Sequence, residues 1–239
     1  EMRFKTGDPI DAAKLTNDIN WLNENDFRDV TVVAQKSDTP GDTDLVIQAD
    51  DRFPFRFSAA YANNGAPASG RDRWTIGVAW GNAFWLDQQL YYQYTSSEDF
   101  WLHPKRVPVK KGDANFGAHA ASYVIPFPWH DKLVLSGTYA QVNPELGPDF
   151  GEVGVSWSAS ARYVIPILLR NLPAQELQFG FDFKRSNNDL QFGGVDISNV
   201  TTDIDQFTLS YTALLKDSWG QTRLTDRLEV SPGKMSGGN

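Results

Sequence analysis

The 239 residues carry 30 acidic against 22 basic side chains, a formal net charge of −8, and phosphate binding needs a concentrated basic surface, so a nucleic-acid partner is excluded. Cysteine is absent, which removes disulfide scaffolds, thiol catalysis and thiolate metal sites together. With a mean hydropathy of −0.43, no stretch approaches the ~18 apolar residues of a transmembrane helix. Aromatic residues make up 13% of the chain, and flat rings suit a pleated, half-buried surface, so a mostly β fold is expected. No signal-peptide pattern opens the sequence, and processing or truncation is expected to have removed the true start.

The first fifty residues differ from the rest. Asp8 reads as a helix cap, Pro9 suits the first helical position, and Asp11 stands three residues past the cap. Ala12, Leu15, Ile19 and Leu22 then recur at three- and four-residue steps as one apolar stripe, and the weak helix formers Asn23 to Asp26 close the element. Two short strands follow, Val30, Thr31, Val32, Val33 and Ala34 and then residues 44–48, flanking the turn-rich Ser37-Asp38-Thr39-Pro40-Gly41-Asp42. One helix and one hairpin bury too little for an independent core, so residues 1–52 read as the last part of a small α/β domain.

From residue 53 to residue 239 the pattern is a repeated dyad alternation. Val153, Val155, Trp157, Ala159, Ala161, Tyr163 and Ile165 share one face, opposite Gly154, Ser156, Ser158, Ser160 and Arg162. Leu177, Phe179, Phe181 and Phe183 oppose Gln178, Gly180, Asp182 and Lys184; Phe207, Leu209, Tyr211 and Ala213 oppose Gln206, Thr208, Ser210 and Thr212; Trp74, Ile76, Val78 and Trp80 oppose Arg73, Thr75, Gly77 and Ala79. Weaker alternation over residues 55–61, 90–94, 116–125, 133–139 and 224–230 brings the count to about nine antiparallel strands, several of them near the ten-residue length of membrane-barrel strands. The connections alternate as well. Those at 81–87, 128–132, 169–175 and 217–222 are short, whereas those at 63–72, 96–115, 143–151 and 185–203 are long or polar, as in a barrel with tight turns at one end and loops at the other. Counting from the first strand puts residues 1–52 at the tight-turn end.

Alternation alone also fits a soluble β-sandwich with its apolar faces inside. Two features favour a membrane barrel. The apolar faces carry Trp74, Trp80, Trp85, Tyr123, Phe127, Trp129, Tyr163 and Trp219 near strand ends, as interface girdles do. The opposite faces carry Arg56, Arg73, Arg162, Asp182, Lys184, Arg227 and Glu229, which a water-filled lumen accommodates as a polar path. Catalytic constellations are lacking: His103, His119 and His130 are not spaced as a metal pair and suit loop or lumen positions, and no carboxylate pair stands in a defined relation. Gly77, Gly137, Gly154 and Gly180 sit inside strands, where they serve curvature rather than phosphate binding. The reading is a non-enzymatic chain with no cofactor and no metal.

Particular residues resemble a known family. Gly7-Asp8-Pro9-Ile10, Leu15, Trp21-Leu22-Asn23 and Phe27-Arg28 are similar to the second helix and following strand of the membrane-proximal POTRA domain of two-partner secretion transporters, the TpsB group of ShlB, FhaC and HecB. Gly41-Asp42-Thr43-Asp44-Leu45 resembles that domain's last hairpin, and Asn63, Asn64, Gly65, Gly70 and Arg71, with Tyr61 and Arg73, match the group's first barrel hairpin, an Asn-Gly turn followed by Gly-Arg. Tyr123-Val124-Ile125-Pro126 and Tyr163-Val164-Ile165-Pro166 resemble strand endings ahead of periplasmic turns, and Ser231-Pro232-Gly233 the start of a later loop.

The resemblance implies an outer-membrane translocator of Gram-negative bacteria that exports a haemolysin- or adhesin-like exoprotein bearing an N-terminal secretion domain. Residues 1–52 would be the C-terminal part of a periplasmic POTRA domain, and residues 53–239 the first half of a barrel in contact with outer-membrane lipid. The partner would add a strand to the POTRA edge, the candidates being Val30, Thr31, Val32, Val33 and Ala34 and the exposed side of the preceding helix. Because an open sheet leaves backbone groups unsatisfied in lipid, further strands are expected beyond residue 239. A BamA-like insertase is the alternative within the superfamily; a passive porin and a soluble β-sandwich binding module are alternatives of other classes.

Overall fold

The structure is a computed structural model that describes residues 3, 5–97, 116–147, 149–167, 174–216 and 218–233. It begins with helix α1 (Ala12–Leu22), capped by Asp11, whose Oδ1 accepts from the backbone N–H of Ala13 at 2.9 Å and of Lys14 at 3.3 Å. The cap therefore lies three residues later than the sequence predicts. Asp8 is already engaged in the preceding turn, where its carboxylate accepts from Lys5 N–H at 3.0 Å and its own N–H donates to the Lys5 carbonyl, so the cap falls to Asp11. Strands β1 (Arg28–Lys36) and β2 (Thr43–Asp51) follow as an antiparallel pair in a sheet of their own, and α1 packs on β1.

The rest is one meander: β3 (Phe55–Asn63), β4 (Asp72–Ala83), β5 (Gln88–Ser96), β6 (Phe116–Pro126), β7 (Lys132–Val142), β8 (Phe150–Ile167), β9 (Ala174–Phe192), β10 (Val195–Lys216) and β11 (Gln221–Val230). Each strand pairs antiparallel with its neighbours in sequence, and the nine-stranded sheet is open, with β3 and β11 at its edges. The fold is thus mostly β and antiparallel, with the strand number the alternation predicts.

One predicted loop is a strand pair. Residues 185–203 continue the β9–β10 ladder to a two-residue turn at Gly193 (φ +59°) and Gly194 (φ +81°), with one bulge between Asp196 and Ser198. Two consecutive positive φ values are what a hairpin turn matching the strand twist requires, and glycine adopts them without steric cost. The polar sequence concealed the strands because backbone pairing there needs no buried face; Arg185 and Asp203 sit opposite each other and pair at 2.6 Å. The predicted connection at 143–151 is shortened likewise, since β8 starts at Phe150 against Phe192 of β9, ring centroids 4.9 Å apart.

The tight turns hold unusual backbone. Phe84, Trp85 and Asp87 in the β4–β5 turn and His130 in the β6–β7 turn all have positive φ without being glycine. Asn82 braces the first of these turns: its Oδ1 accepts from Asp87 N–H at 2.9 Å, and its carbonyl from Trp85 N–H at 3.1 Å. The predicted connections at 96–115, with His103, and at 169–175 lie largely outside the described residues.

Candidate functional site

The register shows directly that the sheet has two unlike faces. Following paired residues across all nine strands, one row reads Phe55, Trp80, Leu90, Tyr123, Leu135, Ala161, Phe181, Phe207 and Val230. The row of the next residues reads Arg56, Ala79, Tyr91, Ser122, Ser136, Ser160, Asp182 and Gln206. Among the described residues no second layer covers the apolar row, and Phe57, Phe179 and Leu228 on that face are 75%, 49% and 60% exposed. A stacked sandwich would bury them; an apolar band turned outward on a barrel does not.

Aromatic belts bound the band. At the tight-turn end, Trp80, Phe84 and Tyr123 contact in sequence, Phe127 stacks on Trp129 at 4.7 Å, and Trp129 Nε1 donates to the Tyr163 hydroxyl at 3.0 Å. At the other end stand the Tyr61–Trp74, Tyr94–His119 and Trp157–Phe183 contacts. Trp74 shares a row with Ser96, Gly117, Gln141 and Val155, and Tyr163 lies eight positions beyond Val155 on β8. That is ~27 Å along a strand and about 20 Å of height at the usual tilt, commensurate with a ~25 Å apolar band once the turn aromatics are added. His119 is on this outward face rather than in a loop or lumen, and the Tyr92 hydroxyl meets its Nδ1 at 2.7 Å. At the belt a tyrosine can satisfy the imidazole without water from a lumen.

The polar face carries the charges. Asp182, 3% exposed, accepts from the single nitrogen Arg162 Nη2 at both carboxylate oxygens, at 2.6 and 2.7 Å, and further bonds from Ser160 Oγ at 2.6 Å and Thr208 Oγ1 at 3.3 Å. Arg162 lies flat across β9 because Gly180 is beneath it: a Cβ there would stand 2.5 Å from Arg162 Cδ. Lys184 is two residues along the same face, and Arg227 pairs with Glu229, which also accepts from Gln206 Nε2 at 2.6 Å. Arg56 sits at the tight-turn end over the Phe27 ring, 5.1 Å from its centroid. Arg73 instead serves the first hairpin, donating through Nη1 to the Gly70 and Asp72 carbonyls at 2.8 Å and lying 4.4 Å over Phe116.

The helix–hairpin unit is bolted to the tight turns by residues that the sequence does not mark as a set. Asn25 Nδ2 donates to the Gly81 carbonyl at 2.8 Å and to Asp87 at 3.0 Å, while its Oδ1 accepts from Phe27 N–H. Phe27, 5% exposed, fills the space over Gly81, where a Cβ would fall 1.9 Å from the ring. Arg28 bridges Asp51 at 2.9 Å and Asp87 at 3.2 Å, and the bond to Asp51 raises its pKa above the usual guanidinium value against the opposing effect of burial. Trp21 stacks on His130 at 4.9 Å, and Glu24 pairs with Lys132 at 3.0 Å. These links join residues far apart in sequence, so no spacing signals them.

Strand β1 has one edge on β2. At the other, Asn23 acts as a false strand residue: its Oδ1 accepts from Val30 N–H at 2.6 Å and its Nδ2 donates to the Val30 carbonyl at 2.9 Å. Backbone groups alternate sides along an antiparallel strand, so Val32 and Ala34 turn theirs the same way as Val30, while Thr31 and Val33 turn theirs to β2.

Residues 41–225, most of the chain, match the family described as haemolysin secretion/activation protein ShlB/FhaC/HecB. The chain belongs to this family. Among solved structures, CdiB from Escherichia coli matches with a TM-score of 0.76 at 14% sequence identity, covering 98% of this chain and 42% of the CdiB chain. At that identity the likeness is one of fold, and the chain spans less than half the length of CdiB. No curated protein matches in sequence.

In this ShlB/FhaC/HecB-family protein the first hairpin motif has a spatial logic that differs from its sequence reading. Asn63 and Tyr61 both donate to Asp72 Oδ1, at 2.7 and 2.8 Å, and Gly65 N–H donates to the Arg71 carbonyl at 2.9 Å. Asn64 and Gly65 do not form an Asn-Gly turn of positive φ; Gly70 is the positive-φ residue, at +76°. Gly65 is needed for room, since a Cβ would lie 2.2 Å from the Gly70 carbonyl oxygen and 2.6 Å from Arg73 Nη1.

Proposed function

We propose that this chain is part of an outer-membrane translocator of two-partner secretion, exporting a haemolysin- or adhesin-like exoprotein through the lumen that the polar face of the sheet lines. Residues 1–52 are the end of a periplasmic POTRA domain and residues 53–239 the first half of the barrel. The observation that carries the reading is the sheet's two-faced register: a continuous apolar row, bounded by aromatic belts, backed by a row of hydroxyls and paired charges. Membership of the ShlB/FhaC/HecB family supports export over passive permeation or insertion of other barrels.

Capture of the exoprotein falls to the outer edge of β1, at Val30, Thr31, Val32, Val33 and Ala34, where an extended segment adds a strand. Asn23 closes that edge at Val30, so the register begins at Val32. Proline at Ala34 deletes an outward N–H and leaves the β1–β2 ladder intact, whereas proline at Val33 removes a ladder bond. The lumen path comprises Arg56, Arg162, Asp182, Lys184, Arg227 and Glu229, with Arg73 at its loop end.

The test is to express the transporter with a large exoprotein bearing an N-terminal secretion domain, sought first in the open reading frames beside its gene, and to assay that protein in the medium. Export that depends on the transporter and is lost with Ala34→Pro, while the barrel still inserts, is expected. Appearance of the exoprotein without the transporter, or depletion of unrelated barrels from the membrane when the transporter is removed, would overturn the reading.

A further inference from the structure

We infer that the β4–β5 and β6–β7 turns form a wedge seated in the inner-leaflet headgroup layer of the membrane, and that docking of the helix–hairpin unit sets its shape. The inference rests on the apolar face meeting lipid and is independent of export. Backbone strain singles out these turns. Among the described residues, the only non-glycine positions with positive φ are Phe84 (+55°), Trp85 (+63°), Asp87 (+59°) and His130 (+74°), and all four lie in these two turns. Leu86 N–H donates to the Ala83 carbonyl at 3.1 Å, so Phe84 and Trp85 are the central pair of a turn with positive φ at both positions, a class dominated by Gly, Asn and Asp. A Cβ disfavours this backbone, so bulky rings there answer to some other demand. Packing within the fold is not that demand: Phe84 and Trp85 are 59% and 76% exposed, and Trp129, beside His130, is exposed as well.

Lipid is the covering medium that fits. The Phe84 ring lies 5.1 Å from Trp80 and 6.4 Å from Tyr123, and Trp129 stacks on Phe127 and donates to Tyr163, so both tips are continuous with the outward apolar face. Exposed rings recur at the same end of the sheet at Phe53, just before β3, and at Trp219, between β10 and β11. The interstrand steps across that nine-stranded sheet add up to roughly 38 Å, a breadth that suits a planar surface rather than one small globular partner. Indole, apolar in body with a single N–H, favours headgroup depth.

The helix–hairpin unit grips both turns. Asn25 Nδ2 donates to the Gly81 carbonyl at 2.8 Å on one flank of the first turn and to the Asp87 carboxylate at 3.0 Å on the other, and Arg28 Nη1 reaches the same carboxylate at 3.2 Å. Asn82 Oδ1 accepts from Asp87 N–H and closes the loop. At the second turn, Trp21 stacks on His130, whose Nδ1 lies 3.8 Å from Asp18 of the same helix. These links hold left-handed backbone against its own preference. Once they are broken, the first turn relaxes toward negative φ and swings Phe84 and Trp85 out of the headgroup layer.

These 239 residues contain no cysteine, so a single labelled cysteine reports on one place. The whole transporter, with any cysteine elsewhere replaced, is refolded into vesicles of phosphatidylethanolamine and phosphatidylglycerol. It carries bimane, a flat bicyclic label, at Trp85→Cys, at Ala159→Cys opposite Phe183 within the apolar band, or at Thr39→Cys in the β1–β2 turn. The vesicle lipids bear a nitroxide quencher either near the headgroup or near the chain end. The headgroup quencher should dim the label at 85, the chain-end quencher the label at 159, and neither the label at 39. Asn25→Ala with Arg28→Ala, or Asp87→Gly from the turn's own side, should abolish quenching at 85 and leave quenching at 159 intact. A label at 85 left bright beside a quenched one at 159, the result if a periplasmic protein covers the tips instead, overturns the inference. Quenching at 85 that survives both variants overturns it as well. A label at 159 that no lipid quenches removes the lipid assignment of the apolar face, and the inference with it.

Discussion

Gly180 illustrates how much a single position can decide. Its φ is ordinary, so conformational freedom is not what it supplies; it supplies the absence of a Cβ under Arg162. Gly180→Ala should lift the guanidinium from Asp182 and leave a carboxylate that is almost fully enclosed with hydroxyl partners alone. Because Arg162 is partly exposed, a destabilisation of about 1–3 kcal/mol is expected rather than the larger cost of a fully buried pair. Urea unfolding of the refolded barrel measures it. A double-mutant cycle with Arg162→Ala should show the alanine at 180 costing little once the arginine is gone. The sequence places Gly180 inside a strand and Arg162 and Asp182 on a common face; it does not say that the three form one unit, because that depends on the β8–β9 register.

At the level of elements, the joint between the helix–hairpin unit and the sheet is made by few residues, and Asn25 supplies two of its polar links beside Arg28–Asp87 and Glu24–Lys132. Asn25→Ala removes two bonds across the joint and the brace to Phe27 N–H, at about 1–3 kcal/mol. The effect should appear as faster hydrogen exchange of the Arg52 and Gly81 amides, which donate to the Phe27 and Pro54 carbonyls at 2.8 and 2.7 Å, with the centre of the sheet unchanged. Unaltered exchange at both amides would show that Phe27 over Gly81 suffices alone. The helix itself was legible from Ala12, Leu15, Ile19 and Leu22, but its cap was misassigned because two aspartates three residues apart compete for the role and only the Lys5–Asp8 turn decides between them. The upper β9–β10 hairpin was illegible for a different reason. Hydrophobic alternation reports burial on one face, and residues 186–202 extend the ladder past the apolar band, where pairing is carried by backbone bonds and a Gly-Gly turn.

For the whole molecule, the decisive question is which side of the sheet meets lipid. Leu135 and Ser136 are adjacent on β7 and point to opposite faces. An arginine on the lipid face near mid-membrane costs about 2–4 kcal/mol, while one facing a wet lumen costs nearly nothing. Leu135→Arg should therefore lower the urea midpoint of the bilayer-inserted barrel and Ser136→Arg should leave it in place; the reverse order would mean that the faces have been assigned backwards. The sequence by itself determined the strand number, the two-faced alternation and the aromatic positions, because each follows from a pattern repeated at period two along neighbouring residues. Tertiary structure alone decided the cross-strand register, the pairing of Arg162 with Asp182 and the seating of Phe27 over Gly81. Those contacts join residues tens of positions apart, and only chain folding brings such pairs within reach of one another.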